Sequence, residues 1–249
     1  MLPNMTLARQ TVPQPFWNMG GSIQQQTTSV VGLFFEVQPK PGQRQAYFDQ
    51  VEVLKPSLST YDGLFWMQRY RSMDDPGLIL SHQYWAGEQA LSAWRRNADH
   101  RHAQMQGMSH IFADYRIRVG PRVWHWDGEK DAGFLPVEPA PERPYILTLH
   151  MAADRDTSAI AAGLSDTGLS DTGLSDTGLS ITGRFESVAD DKSGLIMAAC
   201  ADFTASIYQH ILRCGATSAA LFAPTRDYGL FDRQAVSPPA GTNRTHPDG

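Results

Sequence analysis

Residues 91–119 read LSAWRRNADHRHAQMQGMSHIFADYRIRV. Leu91, Trp94, Ala98, Arg101 or His102, and Met105 recur close to the helical repeat, so the sequence predicts an amphipathic helix whose stripe gathers an indole, an imidazole and a thioether. Gly107 ends that pattern, and Tyr115, Ile117 and Val119 then alternate with Arg116 and Arg118 as a strand with one apolar face. A helix that lays such a stripe on a sheet makes an α+β unit. The stripe lines either a core or a pocket.

Working outward, VVGLFFEV at 30–37 is a β-branched and aromatic run bounded by Pro39 and Pro41, which suits a buried central strand. Ala46, Tyr47, Val51 and Leu54 then recur at helical spacing until Pro56, which ends or kinks that helix. After the Asp62-Gly63 turn, LFWMQRYRS at 64–72 places Leu64, Trp66, Gln68 and Tyr70 on one face and Phe65, Met67, Arg69 and Arg71 on the other. A DDPG reversal and LILSHQYW at 78–85 complete a hairpin. Residues 29–126 thus follow the β-α-β-β-α-β order of a ferredoxin-like fold.

A linker rich in Gly, Pro and acidic residues occupies 127–143. Beyond it, strands at 145–151, 184–189 and 195–201, a helix at 203–213 and a last strand within 217–231 repeat the same order over 144–233. The expected architecture is therefore α+β, with tandem ferredoxin-like domains and antiparallel sheets of the dimeric α/β-barrel type. Residues 1–28 and 234–249 read as a flexible arm and tail. At 163–183 the pentapeptide GLSDT occurs three times and once more as GLSIT, a period that fits neither helix nor strand. It reads as a repeat expansion in a surface segment, anchored by Leu164, Leu169, Leu174 and Leu179; Asp166, Asp171 and Asp176 lack the density of a calcium loop.

Composition bounds the function. The 249 residues are 41% hydrophobic, enough to bury a substantial core, and carry a net charge of only −5 with scattered basic residues, which gives no support for nucleic-acid binding. No apolar run approaches the length of a membrane span or a secretory core, and Cys200 and Cys214 form no framework, so a reduced, cytoplasmic setting is expected. His100 and His102 are two apart on a helix and face different ways, so no metal site is expected.

The helix tryptophan, the histidines a turn or two later, Gly107 and the Tyr-initiated strand resemble the antibiotic biosynthesis monooxygenase family over residues 29–126. The resemblance implies chemistry without metal or flavin, in which an electron-rich aromatic of the polyketide or quinol type is deprotonated and reacts with molecular oxygen as co-substrate. That chemistry needs an apolar slot, a base and donors for the developing anion. Trp94 would wall the slot with Trp66, Phe34 and Tyr84; His100 or His102 would be the base; Arg101, Tyr115 or Arg116 would steady the anion. A heme-degrading branch of the same superfamily would need an asparagine and a histidine where this chain has Phe35 and Gln104, although His100 keeps heme binding open. The resemblance also implies a barrel, from a homodimer or from the two halves of one chain. The competing expectation is a non-catalytic small-molecule-binding or structural α/β barrel, with that space filled by side chains.

Overall fold

The computed structural model of the chain describes residues 30–135, 143–165, 178–189 and 191–230. The first half runs β1 (Val31–Pro39), α1 (Arg44–Ser59), β2 (Leu64–Ser72), β3 (Ile79–Trp85), α2 (Glu88–Arg96), α3 (Ala98–Gln106), a π-helical turn (Gly107–Ile111) and β4 (Phe112–Trp126). The second runs β5 (Tyr145–Met151), α4 (Thr157–Ser165), β6 (Leu179–Ser187), β7 (Gly194–Cys200), α5 (Ala205–Arg213), β8 (Ser218–Phe222) and β9 (Arg226–Gly229). Each half has the ferredoxin-like sheet order, β4-β1-β3-β2 and β8-β5-β7-β6.

The two sheets join along both edges. Tyr70–Ser72 of β2 pairs with Ser187–Phe185 of β6, and the far end of β4 leaves β1 to pair Arg122–Trp126 with Phe222–Ala219 of β8. Eight strands therefore close a ring within one chain, and β9 lies along Arg116–Val119 of β4. At the β4–β8 seam the backbones approach so closely that a side-chain carbon on Gly120 would fall inside the carbonyl group of Ala223.

Strand alternation sorts every side chain to the lumen or to the helix layer. Phe34, Tyr70, Leu80, Phe185, Leu195, Met197 and Phe222 fill the lumen. On the outside, Leu147, Leu149, Ile196 and Leu221 of the second half are sealed beneath α4 and α5, each 0% exposed. The first half packs two clusters instead, one around Trp85 and Trp94 and one around Tyr47 and Phe112.

Two expectations about elements change. The long helix of residues 91–106 is two helices, because Asn97 ends α2 and caps α3: its backbone is extended (φ −56°, ψ 136°) and its side chain accepts from the His100 N–H at 3.1 Å. Asparagine competes with helix hydrogen bonds in this way and so favours caps. The single stripe is lost, and Met105 is 54% exposed. The repeat, expected on the surface, enters regular structure at both ends, Leu164 in α4 and Leu179 opening β6, and both leucines are buried. Leu169, Leu174 and the three aspartates lie outside the described residues, as do the arm and tail.

Candidate functional site

The helix-facing side of the first sheet does not close as the second does. Leu33 and Phe35 sit on the central strand β1, hydrogen-bonded on both sides, yet both are only half-buried, as are Met67 and Arg69 on β2 and Ile117 on β4. Cross-strand register sets these in two adjoining rows: Met67, Gln83, Leu33 and Val119, then Arg69, Ser81, Phe35 and Ile117. They form a half-buried floor beneath α1 and α2, with Leu33, Met67 and Ile117 against Leu58, Leu91 and Trp94 and with Phe35 against Tyr47 and Phe112, and the strip between floor and helices is the candidate cleft. Three polar side chains of β3 cross this face in a chain of donors: Trp85 Nε1 donates to Gln83 Oε1 at 2.9 Å, and Gln83 Nε2 donates to Ser81 Oγ at 3.0 Å.

Trp94 stands at one end of the cleft, 3% exposed. Its ring meets Tyr61 edge-on at 4.9 Å and Trp85 at 6.4 Å. His100 stacks on it at 4.8 Å and 24°, placed there by the Asn97 break. The His100 Nδ1 atom is buried without a hydrogen-bond partner, and burial lowers the ring's pKa to about 4, against a smaller opposing effect of the Trp94 backbone. His100 is thus a neutral imidazole with one unused nitrogen in a mostly apolar space.

The other expected site residues fall elsewhere. His102 and Arg101 are exposed on α3, because the break at Asn97 turns His100 alone toward Trp94. Arg116 points to the barrel's other face and is held by Asp227 through two bonds of 2.9 and 2.7 Å. Tyr115 borders the cleft beside Phe35, centroids 6.1 Å apart, with its hydroxyl 3.8 Å from Met108 Sδ. Trp66, Tyr84 and Phe34 lie in the lumen, on the opposite face of the sheet from Trp94, because each has the strand parity opposite to that of Met67, Trp85 and Leu33. The helix equivalent in the second half carries no comparable group: His210 Nδ1 donates to the Ser206 carbonyl at 2.7 Å.

The lumen residues make a network of their own. His150 lies between two phenols, Tyr84 Oη at 3.3 Å and Tyr70 Oη at 3.5 Å, and its ring stacks 6.1 Å from His82. Burial, with His125 nearby, lowers the His150 pKa to about 4; burial, and then His150, holds His82 well below the ordinary imidazole range. Burial raises Tyr84 to about 12. These rings span both halves and tie them together. A separate hollow of about 420 Å³ lies between α4 and β6, lined by Asp74, Ser158, Ile181 and Arg184 among others. Arg184 is already bound to Asp74 and Ser158 there, and no aromatic ring lines it, so it offers less chemistry than the Trp94 cleft.

Residues 30–106 match the antibiotic biosynthesis monooxygenase family. The match covers β1 through α3, the part of the chain that supplies the β1, β2 and β3 residues of the floor and carries Trp94 and His100. A Pyricularia oryzae protein named jasmonate monooxygenase ABM is 39% identical over 88 residues, 35% of this chain, which spans 41% of that relative's length. Among solved structures, Rv0793 from Mycobacterium tuberculosis aligns at 19% identity and a TM-score of 0.34, over 36% of this chain and 92% of that one. A chain from Lactobacillus acidophilus NCFM aligns at 8% identity and a TM-score of 0.36, over 79% of this chain and 94% of that one.

Arg69 is the cleft residue that sequence reasoning passed over. Its place beside Met67 on one strand face was legible; that this face meets the helices was not.

Proposed function

We propose that the chain is a monooxygenase whose first half binds a small, largely apolar molecule in the Trp94 cleft and oxygenates it with dioxygen, using no bound cofactor. The half-buried floor of Leu33, Phe35, Met67 and Ile117 carries this reading, since the central strand residues of the second half, Leu147, Leu149 and Ile196, are fully buried under its helices. Apolar walls with a few placed polar groups are what small-molecule sites share.

In this mechanism the apolar body lies on the floor and against Trp94. His100 Nδ1 accepts a proton from an activated methylene conjugated to a carbonyl or phenol. The carbanion reacts with dioxygen, and conversion of CH2 to C=O consumes one O2 and releases one water, so the substrate supplies all four electrons. A neutral imidazole is ready to accept at pH 7, but with its pKa near 4 it is a weak base. The substrate must therefore be acidic at carbon, as anthrone-type phenols are. Heme fits the cleft poorly: Phe35 fills the floor, with its ring 5.8 Å from Phe112, and Gln104 offers no imidazole.

The test is oxygen uptake by the purified full chain with anthrone, a quinol panel and jasmonate, the last prompted by the relative's name. Uptake above the protein-free rate with anthrone-type substrates supports the mechanism. Turnover of jasmonate alone, and only with added reductant, would replace it with a reductant-dependent hydroxylation.

A further inference from the structure

We propose that the cleft holds an anion subsite, the Arg69 guanidinium with the Tyr47 hydroxyl, and that its substrate is a carboxylate on an apolar body. The inference rests on the cleft being a small-molecule site.

Arg69 lies on β2 one row beyond Met67, about 7 Å along the strand, and so faces the helix layer at the far end of the floor from Trp85. Tyr47 of α1 is buried in the cluster that covers this end of the floor, where burial raises its hydroxyl's pKa and the nearby Arg69 charge opposes that rise. Around the pair stand Phe35 and Ile117 in the same row and Ser81 on the adjacent strand, with no carboxylate among them.

Among the described residues, Arg122 of β4 also lacks an acid and lies instead over the Tyr84 ring in the lumen, 5.8 Å from its centroid, while the remaining arginines of the strands are paired. Arg71, Arg116, Arg118, Arg184 and Arg226 each hold an acidic partner. Arg69 makes no ion pair among the described residues, and its Nε is buried with no hydrogen-bond partner. A buried donor left unpaired is costly, and the cost is recovered when an acceptor arrives. The edge formed by Nε and a terminal nitrogen of a guanidinium matches the two oxygens of a carboxylate, and such paired charge-assisted bonds are among the strongest available to a side chain. Tyr47 adds an O–H that can donate to the same anion. One cation in an apolar cleft calls for one negative charge and a body that wets Leu33, Phe35 and Met67.

The experiment is calorimetric titration of the full chain with 1-naphthaleneacetate and with its methyl ester, which share an apolar body and differ in charge. The wild type should bind the acid at least about tenfold tighter than the ester, the scale of a charge-assisted pair. Arg69→Gln should erase that preference while leaving ester affinity unchanged. Arg69→Lys keeps the charge but loses the fork, so it should lose most of the preference, and it carries the test if the glutamine variant does not fold. Equal binding of acid and ester by the wild type, or full preference in both variants, overturns the anion subsite and leaves the cleft standing. If neither compound binds, or if both still bind after Met67→Trp has filled the floor, the cleft itself is refuted and the inference with it.

Discussion

Replacing Trp94 with alanine removes one of the two indoles of the cluster that ends the cleft. The indole is 3% exposed and is held between Tyr61, at 4.9 Å, and the His100 ring, at 4.8 Å. Truncating a buried tryptophan costs about 3–5 kcal/mol through lost transfer energy and the cavity left behind. Each aromatic pair adds about 0.5–1.5 kcal/mol, already contained in that range. For a chain of this size roughly 2–4 °C of melting temperature go with each kcal/mol, so a fall of about 6–20 °C is expected. Trp124→Ala is the matched control: that indole, at the far end of β4 and away from the cleft, is also 3% exposed, packs on Phe203 of the second half at 4.8 Å and donates to Asp131 at 2.8 Å. Urea unfolding followed by circular dichroism measures both. At a temperature where both variants are folded, Trp94→Ala should have lost cleft-ligand affinity and Trp124→Ala should have kept it. Equal loss of affinity in the two, or a Trp94→Ala cost under about 1 kcal/mol, would refute the placement of Trp94 as the wall of a ligand cleft.

His100→Ala should lower turnover by about 10²-fold, the usual scale for losing a proton acceptor, whereas His102→Ala, on the exposed side of α3, should leave it unchanged. With the His100 pKa near 4, the initial rate should stay flat from pH 8 to 5 and fall only as the ring protonates near 4; a fall centred near 6.5 would point to an ordinary imidazole instead. Stability should show a different window. His150 is neutral when folded but takes a proton below about 6.5 when unfolded, so its contribution is complete above that pH and is lost, at about 1.4 kcal/mol per unit, as pH falls from 6.5 toward 4. His82 acts in the same direction, and urea midpoints that do not change between pH 7 and 5 would contradict this. Gly120→Ala forces a carbon into the Ala223 carbonyl across the barrel seam and should cost about 1–3 kcal/mol or more, while Gly163→Ala, in α4 with open space around it, should be neutral or stabilising.

The strands of the first half were legible because their alternation and their turns agreed: the expected runs at 64–72 and 78–85 and the observed β2 and β3 differ by one residue at most. Parity was legible too, but not which parity faces the helices, since both faces of a barrel strand are apolar. Trp66, Tyr84 and Phe34 were therefore drawn to Trp94 when they belong to the lumen. Asn97 carried the signal for the helix break and was overridden by the apolar spacing around it. That break decides between His100 and His102. Closure within one chain was not readable, because it depends on the far end of β4 switching from β1 to β8, and a 15-residue strand looks the same in sequence whichever neighbour it takes. Arg69 stood out only once its neighbours were known to hold no acid.

The most direct measurement is oxygen uptake with anthrone by the wild type and by Met67→Trp, a variant that fills the cleft floor from a half-buried position without touching Trp94 or His100 by substitution. If the cleft is the site of oxygenation, the wild type consumes one O2 per anthrone and the folded Met67→Trp chain loses at least about tenfold of that rate. Equal uptake by both chains, or none above the protein-free rate in the wild type, would contradict it.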